Sequence, residues 1–339
     1  MSLRTKNILY TAVLLLAMAA VWYYRKNQSP VIIQLQGQTM ATTYHVSYFD
    51  KLDRNFQQSI DSLLVMVNKA INNYDSTSEV SRFNKSDDGI AVTLPFLIPA
   101  LKTAQKVFTA SNGAFDMTVM PLVNAWGFGP DKKIKNDSTV IDSLKEFVGF
   151  EKIRFSPTHV LKSDARAQLD FGGIGQGYGA DVIADFLRAK GIENFLVELG
   201  GEGVARGLNL ASGKPWQIGI LDPNSTREQQ FFKAYASLTN RAFTTSGNYF
   251  NYKIVDGKKY SHTIDPSTGY PASRALLSAT VLAADCTTAD AWGTAFMVLG
   301  HEKAIELVKA HPELDILLFY TADDGTLQSY VSEGARSIV

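Results

Sequence analysis

Two oxygen-bearing side chains, Asp290 and Thr294, stand four residues apart in the apolar stretch ADAWGTAFMVLG, a spacing that puts both on one face of a helix. A carboxylate and a hydroxyl are hard donors that suit Mg²⁺, an ion that keeps several waters and takes phosphate oxygens as further ligands. The same aspartate also fits a capping box, Thr287-x-x-Asp290, where a negative charge is favourable in the first helical turn. Capping leaves Thr294 unexplained.

A second stretch, DFGGIGQGYGADVIADFL from Asp170 to Leu187, carries five glycines in its first ten residues and then runs into a helical pattern. Gly175, Gly177 and Ala180 satisfy G-x-G-x-x-G/A, with Glu198 about twenty residues further on, as a dinucleotide fingerprint requires. Against that reading, the unit lies far from the start of the folded part and Glu198 is followed by the pair Gly200-Gly201. The later strands also read as antiparallel. A G-x-x-x-x-G-K-[ST] phosphate loop is absent, because Gly213-Lys214 is followed by Pro215. Glycines that only let a helix pack tightly remain the plain alternative. SHTIDPSTGYP sets His262 ahead of a D-P-x-x-G turn that begins at Asp265, and TTSGNYFNY is either a hydroxyl-rich turn able to meet phosphate or a strand end.

These residues must be held by neighbouring elements. VIIQLQGQTM and TTYHVSYF read as two strands around a turn. From Phe56, the positions Ile60, Leu63, Leu64, Val67, Ile71 and Tyr74 recur at helical spacing, with Tyr74 ending the stripe. A second helix is predicted over Leu97–Ser111, stopping at Asn112-Gly113. AQLDF reads as a strand before the glycine loop, a helix follows over Ala180–Lys190, closed by Gly191, and NFLVELGGEG is the next strand. That order is the βαβ pattern of an α/β protein. Downstream, WQIGILDP, FNYKIVDGKKYSHTIDP with an Asp256-Gly257 turn, and LLSATVLAA predict a largely antiparallel block. Helices are expected at about 288–299 and 302–310, then a last strand pair around Asp324-Gly325. No repeat or linker marks a domain boundary, so residues 31–339 read as one domain.

The chain has 339 residues, 33 basic and 33 acidic, and a single cysteine, Cys286. Balanced charge offers no broad positive field for a nucleic-acid backbone, and one cysteine excludes intrachain disulfides and multi-cysteine metal sites. At the start, Arg4 and Lys6 precede an apolar run from Ile8 to Tyr24 that ends before Arg25 and Lys26. Seventeen residues of helix reach about 26 Å, close to a bilayer core of about 30 Å. Residues 1–30 therefore read as an export signal or membrane anchor, with Trp22, Tyr23 and Tyr24 as an interfacial belt and Ala17–Ala19 as an alternative cleavage site. An uncleaved single anchor in a cell inner membrane is the favoured form. Positive charge before the run keeps the N-terminus inside and places the rest of the chain in the periplasm or outside the cytoplasm.

GQTMATTY, NNYDSTSEVSRFN, GAFDMTVMPLVNAWGFGP, DFGGIGQGYGAD, ELGGEGVARG, TTSGNYFNY, SHTIDPSTGYP and ADAWGTAFMVLG follow one another in this order. Together they resemble the ApbE family of FAD:protein FMN transferases, from about Gly37 to the C-terminus. The resemblance implies an α/β (α+β) domain with mixed, largely antiparallel sheets and packed helices. It implies an Mg²⁺-dependent transferase that moves FMN from FAD to a threonine or serine hydroxyl of an acceptor flavoprotein and releases AMP. A membrane respiratory subunit is the acceptor it suggests. FAD pyrophosphatase activity, giving free FMN and AMP, and a non-catalytic flavin-binding module are the alternatives.

Carried over residue by residue, the resemblance puts Met40 and Tyr74 on the flavin. It puts Ala114, Phe115, Asp116, Asp170, Gln176 and Ile264 against FAD, and the Gly173 carbonyl with Asp290 and Thr294 around the metal. The glycine loop would then approach the FAD pyrophosphate. His262 and Asp265 are the candidates to accept the hydroxyl proton or orient the phosphate. Two positions depart from the family pattern: Gln176 stands where relatives usually carry lysine or an acidic residue, and Gly293 where some carry a further aspartate.

Overall fold

A computed structural model describes residues 2–27, 30–130, 134, 136–226, 228–248, 252–255 and 258–339. Its centre is an eight-stranded sheet. In spatial order the strands are Val31–Thr39, Thr42–Asp50, Phe195–Leu199, Glu202–Arg206, Arg241–Gly247, Leu276–Ala283, Asp315–Thr321 and Leu327–Val331. Every neighbouring pair is antiparallel. Side chains alternate between the two faces, as strand geometry requires. On one face, Tyr44, Val46, Tyr48, Val197, Leu199 and Ala242 pack beneath helices Gln57–Ile71 and Gly175–Ala189. Helix Cys286–Leu299 covers the same face over Ala279, Val281 and Ala283. On the opposite face, Phe49, Phe243, Leu282 and Leu317 meet Trp216, Ile220 and Leu238 of a small hairpin, Trp216–Leu221 with Phe232–Leu238. The mixed fold with antiparallel sheets is thus as the sequence indicated.

Three local expectations are corrected. AQLDF does not form a strand; its only sheet-like feature is an isolated parallel bridge between Val119 and Gln168. Two asparagines take the backbone groups a strand would use. Asn84 pairs with both the N–H and the carbonyl of Leu169, while Asn73 accepts from the Phe171 N–H and donates to the Leu169 carbonyl. With no strand there and every neighbouring pair of the main sheet antiparallel, the βαβ unit disappears. The helix after the loop starts at Gly175, not Ala180, so three glycines lie within its first turns. The first stripe helix ends at Ile71, with Asn72 extended, which leaves Tyr74 outside it.

The Asp256-Gly257 turn lies outside the described residues, although the strands on either side, Tyr252–Val255 and Lys258–Ser261, pair antiparallel. At the other end of the chain, Leu3–Asn27 is helical and every side chain from Ser2 to Ala19 is exposed. Among the described residues no helix is long and apolar enough to cross a membrane. The side chains of Trp22, Tyr23 and Tyr24, read as an interfacial belt, lie outside those described.

Candidate active site

The glycine loop and helix Cys286–Leu299 meet at two points. The Gly177 N–H donates to Asp290 Oδ2 at 3.0 Å, and Thr294 Oγ1 lies 3.5 Å from the Gly173 carbonyl oxygen. Glycine is required at both crossings. A Cβ on Gly177 would stand 2.7 Å from Asp290 Cβ and collide with the Cys286 carbonyl, while one on Gly173 would stand 2.8 Å from Thr294 Oγ1. The plain reading of these glycines, close packing, is therefore true, and the closeness is what brings the oxygen donors together. Asp290 is not a capping residue. Asp285 caps the helix by accepting from the Thr288 N–H at 2.7 Å, and Asp181 from the neighbouring helix accepts from the Cys286 and Thr287 N–H groups. Asp290 sits beyond the first turn, 6% exposed, and burial pushes its carboxyl up to about 7.

Gly173 O, Asp290 and Thr294 thus converge, the set expected for a metal. Among the described residues no group of three or more His, Cys, Asp or Glu side chains forms a ready-made metal cage. A cation here would draw on carbonyl, hydroxyl and phosphate oxygens with few carboxylates, which is how Mg²⁺ is commonly held. The buried Asp290 carboxylate, with one backbone N–H as its hydrogen-bond partner, fits a cation that would neutralise it.

The remaining candidates surround the same loop. Asp170, at the loop's start, accepts from the Gly172 N–H at 2.9 Å and its own N–H donates to the Met117 carbonyl; burial raises its carboxyl. Gln176 lies against Gly200 and Thr42 at the tips of two sheet hairpins. Met40, in the first of those hairpin turns, has φ 50°, a conformation uncommon for residues other than glycine, and its thioether faces Gly179. Tyr74 is 68% exposed, and its hydroxyl donates to the Phe128 carbonyl. Core packing is excluded for this ring, and its position next to Asp170 raises the phenol after burial has done so. Ala114, Phe115 and Asp116 follow the helix Leu97–Ala110. Phe115 joins the core, while Asp116 accepts from the Thr118 N–H and hydroxyl and is pushed up to about 6 by burial.

His262, Ile264 and Asp265 lie on a turn anchored to helix Met120–Ala125: Ile264 packs with Met120 and Trp126, and the Trp126 indole donates to the Gly269 carbonyl. Both Asp265 oxygens are engaged, one by the Ser267 N–H and hydroxyl and the other by Arg274 at 3.2 Å. Arg274 in turn donates to the Val298 carbonyl, so the turn is tied to the C-terminal end of the helix that carries Asp290. His262 is half-buried.

Sequence reasoning passed over three residues. Asn73 and Asn84, both in NNYDSTSEVSRFN, clamp the segment that presents Asp170. Their signal was one asparagine ahead of a short helix, Glu79–Lys85, and one in its last turn. The third is Glu202, a buried carboxyl in ELGGEG.

Comparison with known proteins follows the same outline. The model of the ApbE family matches residues 40–318. A FAD:protein FMN transferase of Vibrio cholerae is 36% identical over 312 residues, covering 90% of this chain and 92% of that protein. One from Haemophilus influenzae is 36% identical over 310 residues, 87% of this chain and 88% of its own. Among solved structures, the flavin transferase ApbE from Vibrio cholerae superposes with a TM-score of 0.82 at 33% identity, covering 91% of this chain and all of its own. The apo flavinyl transferase ApbE of Pseudomonas stutzeri does so at 0.80 and 30%, covering 91% and 97%.

Proposed function

Because the chain belongs to the ApbE family of flavin transferases, we propose that it is an Mg²⁺-dependent enzyme that transfers FMN from FAD to a threonine or serine hydroxyl of an acceptor protein, releasing AMP. The observation that carries this reading is the double crossing of the glycine loop with the Asp290 helix. It sets a helix N-terminus, suited to anionic oxygens, beside oxygen donors for a divalent cation.

In this reading Tyr74 and Met40 flank the isoalloxazine, and Asp116, Asp170 and Gln176 hold polar groups of FAD. Ala114, Phe115 and Ile264 supply apolar wall. The loop from Gly172 to Gly177 receives the pyrophosphate. Gly173 O, Asp290 and Thr294 would hold the cation, which when bound neutralises charge on the nonbridging oxygens and aligns the reacting groups. The acceptor hydroxyl oxygen attacks the phosphorus of the FMN half, the bond from that phosphorus to the bridging oxygen breaks, and AMP leaves with that oxygen. The hydroxyl proton passes to His262. Asp265, spent on Ser267 and Arg274, positions the turn that carries the histidine. A positioned base of this kind contributes about 10²–10⁴-fold.

Residues 1–30 act as an anchor or export signal and residues 31–339 as the catalytic domain, facing the periplasm. The exposed run Ile8, Leu9, Val13, Leu14, Leu15, Leu16 and Met18 on one helix supports that placement. The acceptor is then a membrane respiratory subunit whose hydroxyl faces the same side.

The test is to incubate purified protein with FAD, Mg²⁺ and a flavinylation-type acceptor. Fluorescent acceptor that survives denaturing electrophoresis, with equimolar AMP, is expected, and EDTA should abolish both. AMP with free FMN and unlabelled acceptor would make the enzyme a pyrophosphatase, and no AMP at all would make it a flavin-binding module.

A further inference from the structure

Glu202 opens the strand Glu202–Arg206 on the sheet face that the helices cover, since its cross-strand partner is the buried Leu199. Its side chain is 8% exposed, and Oε2 has no hydrogen-bond partner. The next strand adds an independent orphan. The ladder pairs Ala242 with Val204 and Phe243 with Gly203, so one step further Thr244 stands opposite Glu202 on the same face. Thr244 is fully buried, and its Oγ1 also lacks a partner. Helix Cys286–Leu299 closes over this spot. A Cβ on Gly293 would stand 2.7 Å from Ser246 Oγ and 3.3 Å from Thr244 Cγ2.

Of the charged groups around Glu202, Asp290 acts on it most strongly, with Glu198 next. Two carboxylates shut into one apolar layer repel each other and lose hydration, a cost a fold sustains when a cation joins them. Gly293 has no side chain and so supplies no further oxygen. The sheet can.

We propose that Glu202 is the second carboxylate of the divalent-cation site, reaching from the sheet toward Asp290 and Thr294 on the helix above, with Thr244 as the hydroxyl lining its approach. The inference rests on the reading that Asp290 and Thr294 hold the cation. It completes the usual provision for Mg²⁺, one or two carboxylates plus phosphate oxygens, from two separate elements rather than one helix.

The experiment titrates Mn²⁺ into EDTA-stripped full-length protein, counting free ion by electron paramagnetic resonance and following the thermal midpoint. Wild type, Glu202→Gln and Asp290→Asn are compared. Glutamine is isosteric and carries no charge to bury, so the metal-free variant should melt no lower than wild type. Glu202→Asp, which keeps the charge but shortens its reach, is the second variant. Glu202→Gln should weaken Mn²⁺ binding at least tenfold and shrink the Mn²⁺-induced rise in midpoint, with Glu202→Asp in between. Unchanged or tighter binding in Glu202→Gln, alongside loss in Asp290→Asn, would overturn this inference alone. Binding that is unaffected in both variants, or absent in wild type, would overturn the cation reading as well.

Discussion

Asp290 shows how one residue ties local environment to chemistry. Burial holds its proton until about pH 7, so a cation binding there must displace that proton below this pH and meets a ready carboxylate above it. The Mg²⁺-induced rise in thermal midpoint should therefore be larger at pH 8 than at pH 6, and a shift independent of pH would remove Asp290 from the ligand set. Asp290→Ala should abolish Mg²⁺-dependent AMP release with the fold intact, because helix capping belongs to Asp285. Thr294→Val should weaken binding less, as a neutral hydroxyl is the poorer donor. Tyr74 is the complementary case. An exposed ring stabilises little by packing, so Tyr74→Ala should leave the midpoint within about 1 °C, yet weaken FAD binding by about 1 kcal/mol or more if the ring stacks on the flavin. A variant that melts early with unchanged FAD affinity would contradict this.

At the scale of elements, the site depends on how closely the two helices approach. Gly177→Ala places a methyl against Asp290 Cβ and the Cys286 carbonyl, and backbone on one side leaves little room to yield. Overpacking of this kind costs about 1–3 kcal/mol. Chemical denaturation should register that loss, and Mg²⁺ affinity should fall with it. A Gly177→Ala protein as stable as wild type would mean that the helices separate without penalty. The Asn73 and Asn84 clamps act on the other end of the loop. Asn73→Ala leaves the Phe171 N–H and a Leu169 carbonyl bond unmade, at about 1–3 kcal/mol for each buried group stranded. FAD affinity should drop as Asp170 loses its register, and a loss of stability alone would confine Asn73 to the fold. The helices themselves were legible in the sequence: apolar periodicity recorded the buried face of Gln57–Ile71, the Asn112-Gly113 stop closed Leu97–Ala110, and a continuous apolar run marked Cys286–Leu299, which is buried nearly all round. The strand at AQLDF was misread because alternation is a local signal, whereas the asparagines that claim its backbone lie about a hundred residues away.

For the molecule as a whole, buried carboxyl groups set an unusual pH dependence. Asp116 and Asp181 are pushed up to about 6 and Asp290 to about 7, each first by burial. Between about pH 4 and 7 the folded protein keeps protons that the unfolded chain has released, so stability falls as pH rises through this window. The denaturation midpoint of EDTA-treated protein should be lower at pH 8 than at pH 5, and a rise would refute the burial account. Asp75 and Asp164, lowered to about 2 by their hydrogen-bonding neighbours, act only in more acid conditions. If residues 1–30 anchor the protein as proposed, protease added to spheroplasts should digest the domain from Gln34 onward while the protein fractionates with membranes. Full protection would place it in the cytoplasm. By itself the sequence determined most element types, the antiparallel second half and the family, and it named the candidate residues, because composition and spacing record which faces are buried and which motifs run in order. Tertiary structure alone decided that Asp290 is no cap, that Asp265 is spent on Ser267 and Arg274, that Tyr74 is exposed, and that Glu202 is buried with Oε2 unpartnered. Most of these depend on contacts that composition and spacing do not record, and such contacts form only when sheet register, turns and helix packing close around them.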